Sequence, residues 1–387
     1  MSKFAFSIPT QIQFGAGVAR QVGSISASLT AGKPGSKTGA LLIVDPGIQH
    51  ATWLKEILES IGQAGLICQR FDEVKPNPKD EDVYQAASLI KENVGIVIAI
   101  GGGSTIDTAK GAALIAAYPG KIRDYAGWGL VPGPVLPLIG IPTTAGSGSE
   151  VTSWAVITDT ASHTKLAIGD PHLAPRIAII DPALTVTLPA GLTAATGMDA
   201  LTHSIEAYIC ALSNPVNDLL ALESIRLVAA NLRRAVNKGD DLKAREAMML
   251  ASTLGGIAIN NADVAGVHCL SEGMGSLYDA PHGLLNAILL PYFMAVWLNG
   301  CLDRFAHIAE AFGEPANPKD AVYQVVAMNR SLKLPGLVDV GVKQSDLARL
   351  AKMAEANVSN SSNPIPMTAT DYLGILERAI SGQPPEV

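Results

Sequence analysis

Short runs of aliphatic and β-branched residues, ALLIV at 40–44, LICQRF at 66–71, IVIAI at 96–100 and PLIGI at 137–141, pace the first half of the chain. Between them, TWLKEILESIG and DEDVYQAASLIKEN carry apolar residues three and four apart, the spacing of a helix with one apolar stripe. A strand that is apolar at nearly every position needs cover on both faces, and a helix between successive strands supplies both the cover and the crossover. The pattern predicts parallel strands with helices on either side. Two further strand-like runs, WAVIT at 154–158 and RIAII at 176–180, precede Asp181.

From about residue 190 the texture changes to long Ala/Leu/Met-rich segments such as LLALESIRLVAANLRRAV and LKAREAMMLASTLGGIAI, which predict an all-helical second half. The boundary falls in LPAGLTAATG at 188–197, where Pro and Gly punctuate the chain. At 387 residues and 48% hydrophobic content, the chain is long enough for two packed domains sharing a cleft, 1–189 and 190–387. SNSSNP at 359–364 reads as a polar loop, and no internal repeat is visible.

The net charge of −7 comes from dispersed acids without a Lys/Arg block, which argues against nucleic acid or an anionic membrane as a partner. Cys68, Cys210, Cys269 and Cys301 show no paired spacing, as expected of free thiols in a reducing compartment. The N-terminal MSKFAFSIPTQIQFGAG lacks the apolar core of an export signal, and no stretch reads as a membrane span of about 18 apolar residues. The expected location is the cytoplasm.

After IVIAI, Gly101, Gly102 and Gly103 lead straight into a helix beginning near Ser104. Backbone amides at such a helix start face a bound anion, and the missing side chains let a pyrophosphate approach; a tight turn without a ligand is the alternative. The segment is not the GxGxxG fingerprint. Asp45 ends ALLIV, where its carboxylate either accepts from an adenosine ribose and repels a 2′-phosphate, favouring NAD, or caps the turn at Pro46–Gly47. IPTTAGSGSE at 141–150 places Thr143, Thr144, Ser147 and Ser149 after another strand, at the edge where α/β sheets bind ligands.

In TGMDALTHSIEAY, Asp199 and His203 are four residues apart and so project from one helix face in adjacent turns. A second apolar segment, GVHCLSEGMGSLYDAPHGLLNAILLP, adds His268 and His282, two of only seven histidines. A buried neutral imidazole is often just a satisfied core group. Three histidines and an aspartate in apolar helices of one domain shift the balance toward a single divalent ion held by mixed N and O donors, Fe(II), Zn(II) or another first-row metal.

These motifs, in order IQFGAG, VKPNP, GGGSTIDTAK, IPTTAGSGSEVT, DPALTVTLP, TGMDALTHSIEAY and APHGLLNAILLP, resemble the iron-containing (group III) alcohol dehydrogenase family over nearly the whole chain. The resemblance implies a Rossmann-like parallel-sheet domain that binds NAD, a helical metal-binding domain, and catalysis between them. It implies metal ligation by Asp199, His203, His268 and His282, with Fe(II) the expected ion and Zn(II) the alternative. It puts Asp45, Gly101, Gly102, Gly103, Ser104, Asp107, Thr143, Thr144, Ser147 and Lys165 at the cofactor, and Trp154 and Ile259 at the substrate. Where many relatives carry a second histidine four residues after the first, this chain has Glu272, and its NPIP lacks the Arg that often follows NP.

The implied activity is NAD-dependent transfer of hydride between a primary alcohol and nicotinamide, with the ion acting as a Lewis acid and a small-molecule alcohol or aldehyde as the partner. The expected assembly is a homodimer or higher homo-oligomer. Two other readings stand beside it: a dehydroquinate synthase-like or glycerol-1-phosphate dehydrogenase-like NAD/metal enzyme, and a non-catalytic nucleotide-binding protein. The first would want a Lys/Arg cluster for a substrate phosphate, and none lies near the metal segments.

Overall fold

The computed structural model describes residues 3–30 and 37–387. Two compact units emerge: a sheet unit of Ile8–Thr144 and Gly148–Leu188, and a helical unit of Pro189–Val387 joined by the N-terminal residues to Ser7 and by Ala145–Ser147. The sequence reading placed both of those short segments in the first domain.

The strands are β1 Gln11–Phe14, β2 Gly39–Val44, β3 Ile67–Phe71, β4 Val94–Gly101, β5 Gly127–Trp128, β6 Leu138–Pro142, β7 Trp154–Asp159, β8 Thr164–Gly169 and β9 Ile177–Ile180. Six of them form one sheet in the order β1-β9-β6-β4-β2-β3, and every pairing is parallel. Helices α1 Val22–Thr30, α2 Thr52–Gln63, α3 Asp80–Ser88 and α4 Gly103–Ala117 belong to the same unit. Successive residues of β2 and β4 feed opposite faces. Leu41, Ile43, Val97 and Ala99 join Val83, Ala86, Ile106 and Ala109 of α3 and α4 in one core; Leu42, Val44, Ile98 and Ile100 join Leu54, Ile57 and Ile61 of α2 in the other.

Two strands depart from the sequence reading. WAVIT is not part of the parallel sheet: β7 pairs antiparallel with β8, and β5 completes a separate three-stranded sheet. β1, in a segment given no strand, edges the main sheet through its ladder with β9. Both placements depend on partners distant in sequence.

The helical unit contains α5 Ala190–Ile209, α6 Pro215–Asn237, α7 Leu242–Asn261, α8 Gly266–Tyr278, α9 His282–Trp297, α10 Leu302–Ala311, α11 Pro318–Ser331, α12 Leu347–Glu355 and α13 Ala369–Ile380. No strand follows β9 among the described residues. α5 is buried along almost its whole length and packs against α6, α7 and α9. The run His282–Gly300 is long and apolar enough to cross a membrane by length and composition, contrary to the sequence reading. It is largely buried, with Leu285, Leu289, Phe293 and Trp297 inside the helical unit. SNSSNP, which reads as a polar loop, holds a short 3-10 turn at Val358–Ser362 and is partly buried. Its Ser359 and Ser362 hydroxyls bond Asp263, and Asn363 Oδ1 accepts from Gly266 N at 3.0 Å, tying down the start of α8.

The order of the main sheet reverses direction at β2, whose neighbours are β3 on one side and β4 on the other, and ligands bind at the carboxyl end of such a switch. There Asp45 N donates to Ile100 O at 2.9 Å and Thr143 N to Gly101 O at 3.0 Å. A Cβ on Gly101 would stand 2.4 Å from Thr105 Oγ1 and 2.8 Å from Asp45 Cβ. Gly101→Ala is therefore expected to cost about 1–3 kcal/mol by overpacking, read as a lowered urea midpoint at unchanged m. A midpoint equal to the parent's would show that the loop yields freely.

Candidate metal centre

The helical period of α5 sets Asp199 and His203 side by side, both 5% exposed. His268 lies in the first turn of α8, 3% exposed, and His282 is the first residue of α9. One donor atom from each of the four comes within 4.8 Å of every other. One carboxylate and three imidazoles gathered at that spacing could hold a divalent ion.

Each imidazole is oriented through Nδ1. His203 Nδ1 donates to Gly146 O at 3.2 Å, and His268 Nδ1 donates to Glu206 Oε2. Ser271 Oγ gives its proton to His268 O and so accepts from His282 Nδ1 at 3.5 Å. In this arrangement the lone pair of each ring sits on Nε2. His203 and His268 stack at 4.7 Å between centroids, and His268 and His282 lie 5.1 Å apart.

Asn286, one turn beyond His282 and fully buried, brings its Nδ2 to 2.7 Å from Asp199 Oδ1 and 3.1 Å from Nε2 of both His268 and His282. Its Oδ1 is buried without a partner. An electropositive amide thus stands where three donors converge, and the donor set of one carboxylate and three imidazoles fits a first-row divalent ion.

Burial works against the Asp199 charge, yet the three imidazoles and the Asn286 amide hold its carboxyl below the ordinary value. Burial dominates at His203 and lowers its pKa, against the Asp199 charge. Burial also opposes protonation of His268, but the Glu206 charge and hydrogen bond, helped by Asp199 and Glu272, leave it raised.

The predicted cofactor residues fall in both units. Asp45, Gly101, Gly102, Gly103, Ser104, Thr143 and Thr144 gather at the carboxyl edge of β2, β4 and β6, with Thr144 Oγ1 against Gly102. Asp45 Oδ1 accepts from Gly47 N at 2.8 Å, the turn-cap geometry. Asp107 faces inward on α4: it accepts from Ser149 Oγ at 2.5 Å and Val156 N at 3.0 Å. Burial pushes the Asp107 carboxyl above its ordinary value, against Lys110, the Ser149 and Val156 hydrogen bonds and, least, Lys165, whose Nζ donates to Asn77 Oδ1 at 3.0 Å. Ser147 belongs to the helical unit.

Of the predicted substrate residues, Trp154 opens β7 and packs on Trp128, 5.2 Å between rings. Ile259 is half-buried near the end of α7. Glu272 is half-buried on α8, where its Oε2 accepts from Asn357 Nδ2 at 2.7 Å.

Sequence reasoning missed Glu206, Asn286 and Lys110. Glu206 and Asn286 sit at helical spacings from ligands, seven after Asp199 and four after His282, so the 3.6-residue period was the available signal. Lys110 closes GGGSTIDTAK and is fully buried; its Nζ bonds Ser149 Oγ, Thr152 Oγ1 and Trp154 O. Burial pulls its ammonium down to about 8 and pushes Glu150 up to about 7.

A sheet unit with a glycine-rich switch point, together with a helical unit holding an Asp/His₃ cluster, defines a metal-dependent nucleotide enzyme class. Residues 9–182 match iron-containing alcohol dehydrogenase, and residues 193–380 match the Fe-containing alcohol dehydrogenase family, C-terminal. The NAD-dependent methanol dehydrogenase of Bacillus methanolicus is 40% identical over 97% of this chain and 99% of its own length. The 1,3-propanediol dehydrogenase of Citrobacter freundii is 40% identical over 84% of this chain and 87% of its own. A crystal structure of 1,3-propanediol oxidoreductase superposes with a TM-score of 0.93 at 37% identity, covering 98% of this chain and 100% of that one. The chain belongs to the iron-containing alcohol dehydrogenase family.

Gly283 allows α9 to carry His282 to α5, since a Cβ there would stand 2.5 Å from Ala195 O and 3.0 Å from Asp199 Cβ. Gly283→Ala is expected to displace His282 and weaken divalent-ion affinity roughly tenfold while the protein stays folded. Chelator competition with Zn(II) measures it; parental affinity would mean that the α5–α9 approach does not set the site.

Proposed function

We propose that this protein is an NAD-dependent, divalent-metal-dependent alcohol dehydrogenase, equally an aldehyde reductase, acting on small neutral or hydroxyl-bearing primary alcohols. The observation that carries this reading is the convergence of Asp199, His203, His268 and His282 in a member of this family. Those four residues would hold the ion, Fe(II) foremost and Zn(II) as the alternative. Bound there, it supplies Lewis acidity toward the oxygen of an alcohol or aldehyde.

The rest of the work falls to the chain's own groups. The amides of Gly102, Gly103 and Ser104 at the start of α4 take the pyrophosphate, with Gly101 leaving room for it. The Asp45 carboxylate, at the carboxyl end of β2, meets the adenosine ribose and disfavours a 2′-phosphate. Thr143, Thr144, Ser147 and Lys165 contribute polar contacts to NAD, and Asp107 with Lys110 holds the segment after β6 in register. With NAD bound there, the nicotinamide would supply hydride exchange with the carbinol carbon, and these contacts would orient it.

Trp154 offers an apolar surface in the sheet unit and Ile259 one in the helical unit, each suited to an uncharged substrate. Glu272 adds negative charge without an additional donor when ionised, so it selects against carboxylate-bearing substrates. The similarity to methanol and 1,3-propanediol dehydrogenases supports a short neutral substrate. The enzyme works in the cytoplasm as a homodimer or higher homo-oligomer.

The decisive experiment is an aldehyde panel with NADH, run anaerobically on metal-stripped protein and after reloading with Fe(II) or Zn(II). Turnover should require the ion and should be nearly abolished in His268→Ala, which stays folded. Equal turnover without metal would sink the reading. A second measurement compares a neutral aldehyde with a carboxylate-bearing one of the same length. Glu272→Gln should raise kcat/KM for the carboxylate substrate relative to the neutral one by about tenfold, the equivalent of about 1.4 kcal/mol. A ratio that does not move places Glu272 outside substrate recognition.

A further inference from the structure

We infer that Glu206 is the positioning residue of the metal centre, fixing the tautomer and aim of His268 without touching the ion. The inference rests on the metal-dependent reading above and deepens it. Asp199, His203 and Glu206 occupy positions i, i+4 and i+7 of α5 and therefore form one stripe along that helix. The third member is not a ligand. Glu206 is fully buried, and the side chain it bonds is the His268 ring; no Lys or Arg pairs with it among the described residues.

The two carboxylate oxygens divide their work. Oε1 accepts from Val267 N at 2.8 Å, an amide in the first turn of α8 that has no partner within the helix. Oε2 accepts from Nδ1 of His268, the next residue. One group on α5 thus grips both the backbone at the start of α8 and the ring that this turn carries. A carboxylate only accepts, so the proton must sit on Nδ1 and the lone pair on Nε2, the atom that faces Asn286 and the other donors. A buried acid without a cationic side chain is costly as a stabilising device, and its geometry suits the tuning of a metal-ligating histidine.

Glutamine at this position cannot reproduce the arrangement. Its single carbonyl oxygen can serve either Val267 N or His268 Nδ1. The amide NH₂ must then face a donor, or else drive His268 into the tautomer whose Nε2 is protonated.

The test uses the full-length protein stripped of metal and titrated with Zn(II) and Co(II) against a chromophoric chelator. Glu206→Gln should weaken both ions by roughly 10–100-fold and alter the Co(II) ligand-field spectrum. Glu206→Asp keeps the charge but withdraws it by one methylene; it should give a smaller loss and covers the case in which the glutamine variant does not fold. In a His268→Ala background, Glu206→Gln should change affinity by less than about twofold, because the effect acts through that ring. A helix-capping role alone would move affinity in both backgrounds and leave the Co(II) spectrum of the His268-containing protein unchanged. If the parent protein binds neither ion, the metal reading itself fails; if parent and both folded variants bind equally with the same spectrum, the role of Glu206 is overturned.

Discussion

Asp199 is a carboxylate with 5% exposure in the middle of a twenty-residue helix whose other faces are packed against apolar neighbours. A charge in that position costs several kcal/mol unless other groups compensate it. The compensation comes from three separate helices: His203 one turn on along α5, His268 from α8, and His282 with Asn286 from α9. The packing of the helical unit is arranged to deliver these side chains, as the glycine at 283 shows by giving α9 its close approach to α5. A core assembled from alanine, leucine and glycine surrounds a polar centre whose members are individually expensive to bury.

The sheet unit solves a similar problem with the opposite charge. Lys110 lies fully buried on α4, with hydroxyls of Ser149 and Thr152 and the carbonyl of Trp154 around its ammonium and Asp107 at 3.8 Å. Ser149, Thr152 and Trp154 all lie in the chain that follows β6, whereas Asp107 is on α4 itself. The lysine therefore fastens the helix carrying the glycine-rich turn to the segment that enters the small sheet. A bond network of this kind sets backbone positions near Gly101 and Thr143 more firmly than loop composition alone would.

Both polar centres depend on backbone groups as much as on side chains. Gly146 O accepts from His203, Val267 N donates to Glu206, and Val156 N donates to Asp107. Such partners have no residue-type signature. A carbonyl or amide can be supplied by any residue, so substitutions at those positions preserve the bond as long as the backbone path is kept.

Much of the architecture was legible in the sequence because apolar period is a local property. ALLIV, IVIAI and PLIGI read as buried parallel strands, and the texture beyond residue 190 read as helices, because hydrophobicity repeating every two or 3.6 residues commits a segment without reference to its partners. Asp199 and His203 could be paired for the same reason, since four residues on a helix is a fixed distance. Pairing across the chain was another matter. Whether Trp154–Asp159 joined the parallel sheet or folded back on Thr164–Gly169, whether Gln11–Phe14 found an edge beside β9, and whether SNSSNP stayed in solvent or closed over Asp263 each depended on surfaces contributed by distant residues. Glu206 and Asn286 share only a helical spacing with the ligands, and Lys110 carries no local mark at all, so the sequence does not set them apart from ordinary helix residues. Only the tertiary packing gave each of them a buried partner, and burial is what turns a common polar side chain into one whose hydrogen bonds decide the geometry around it.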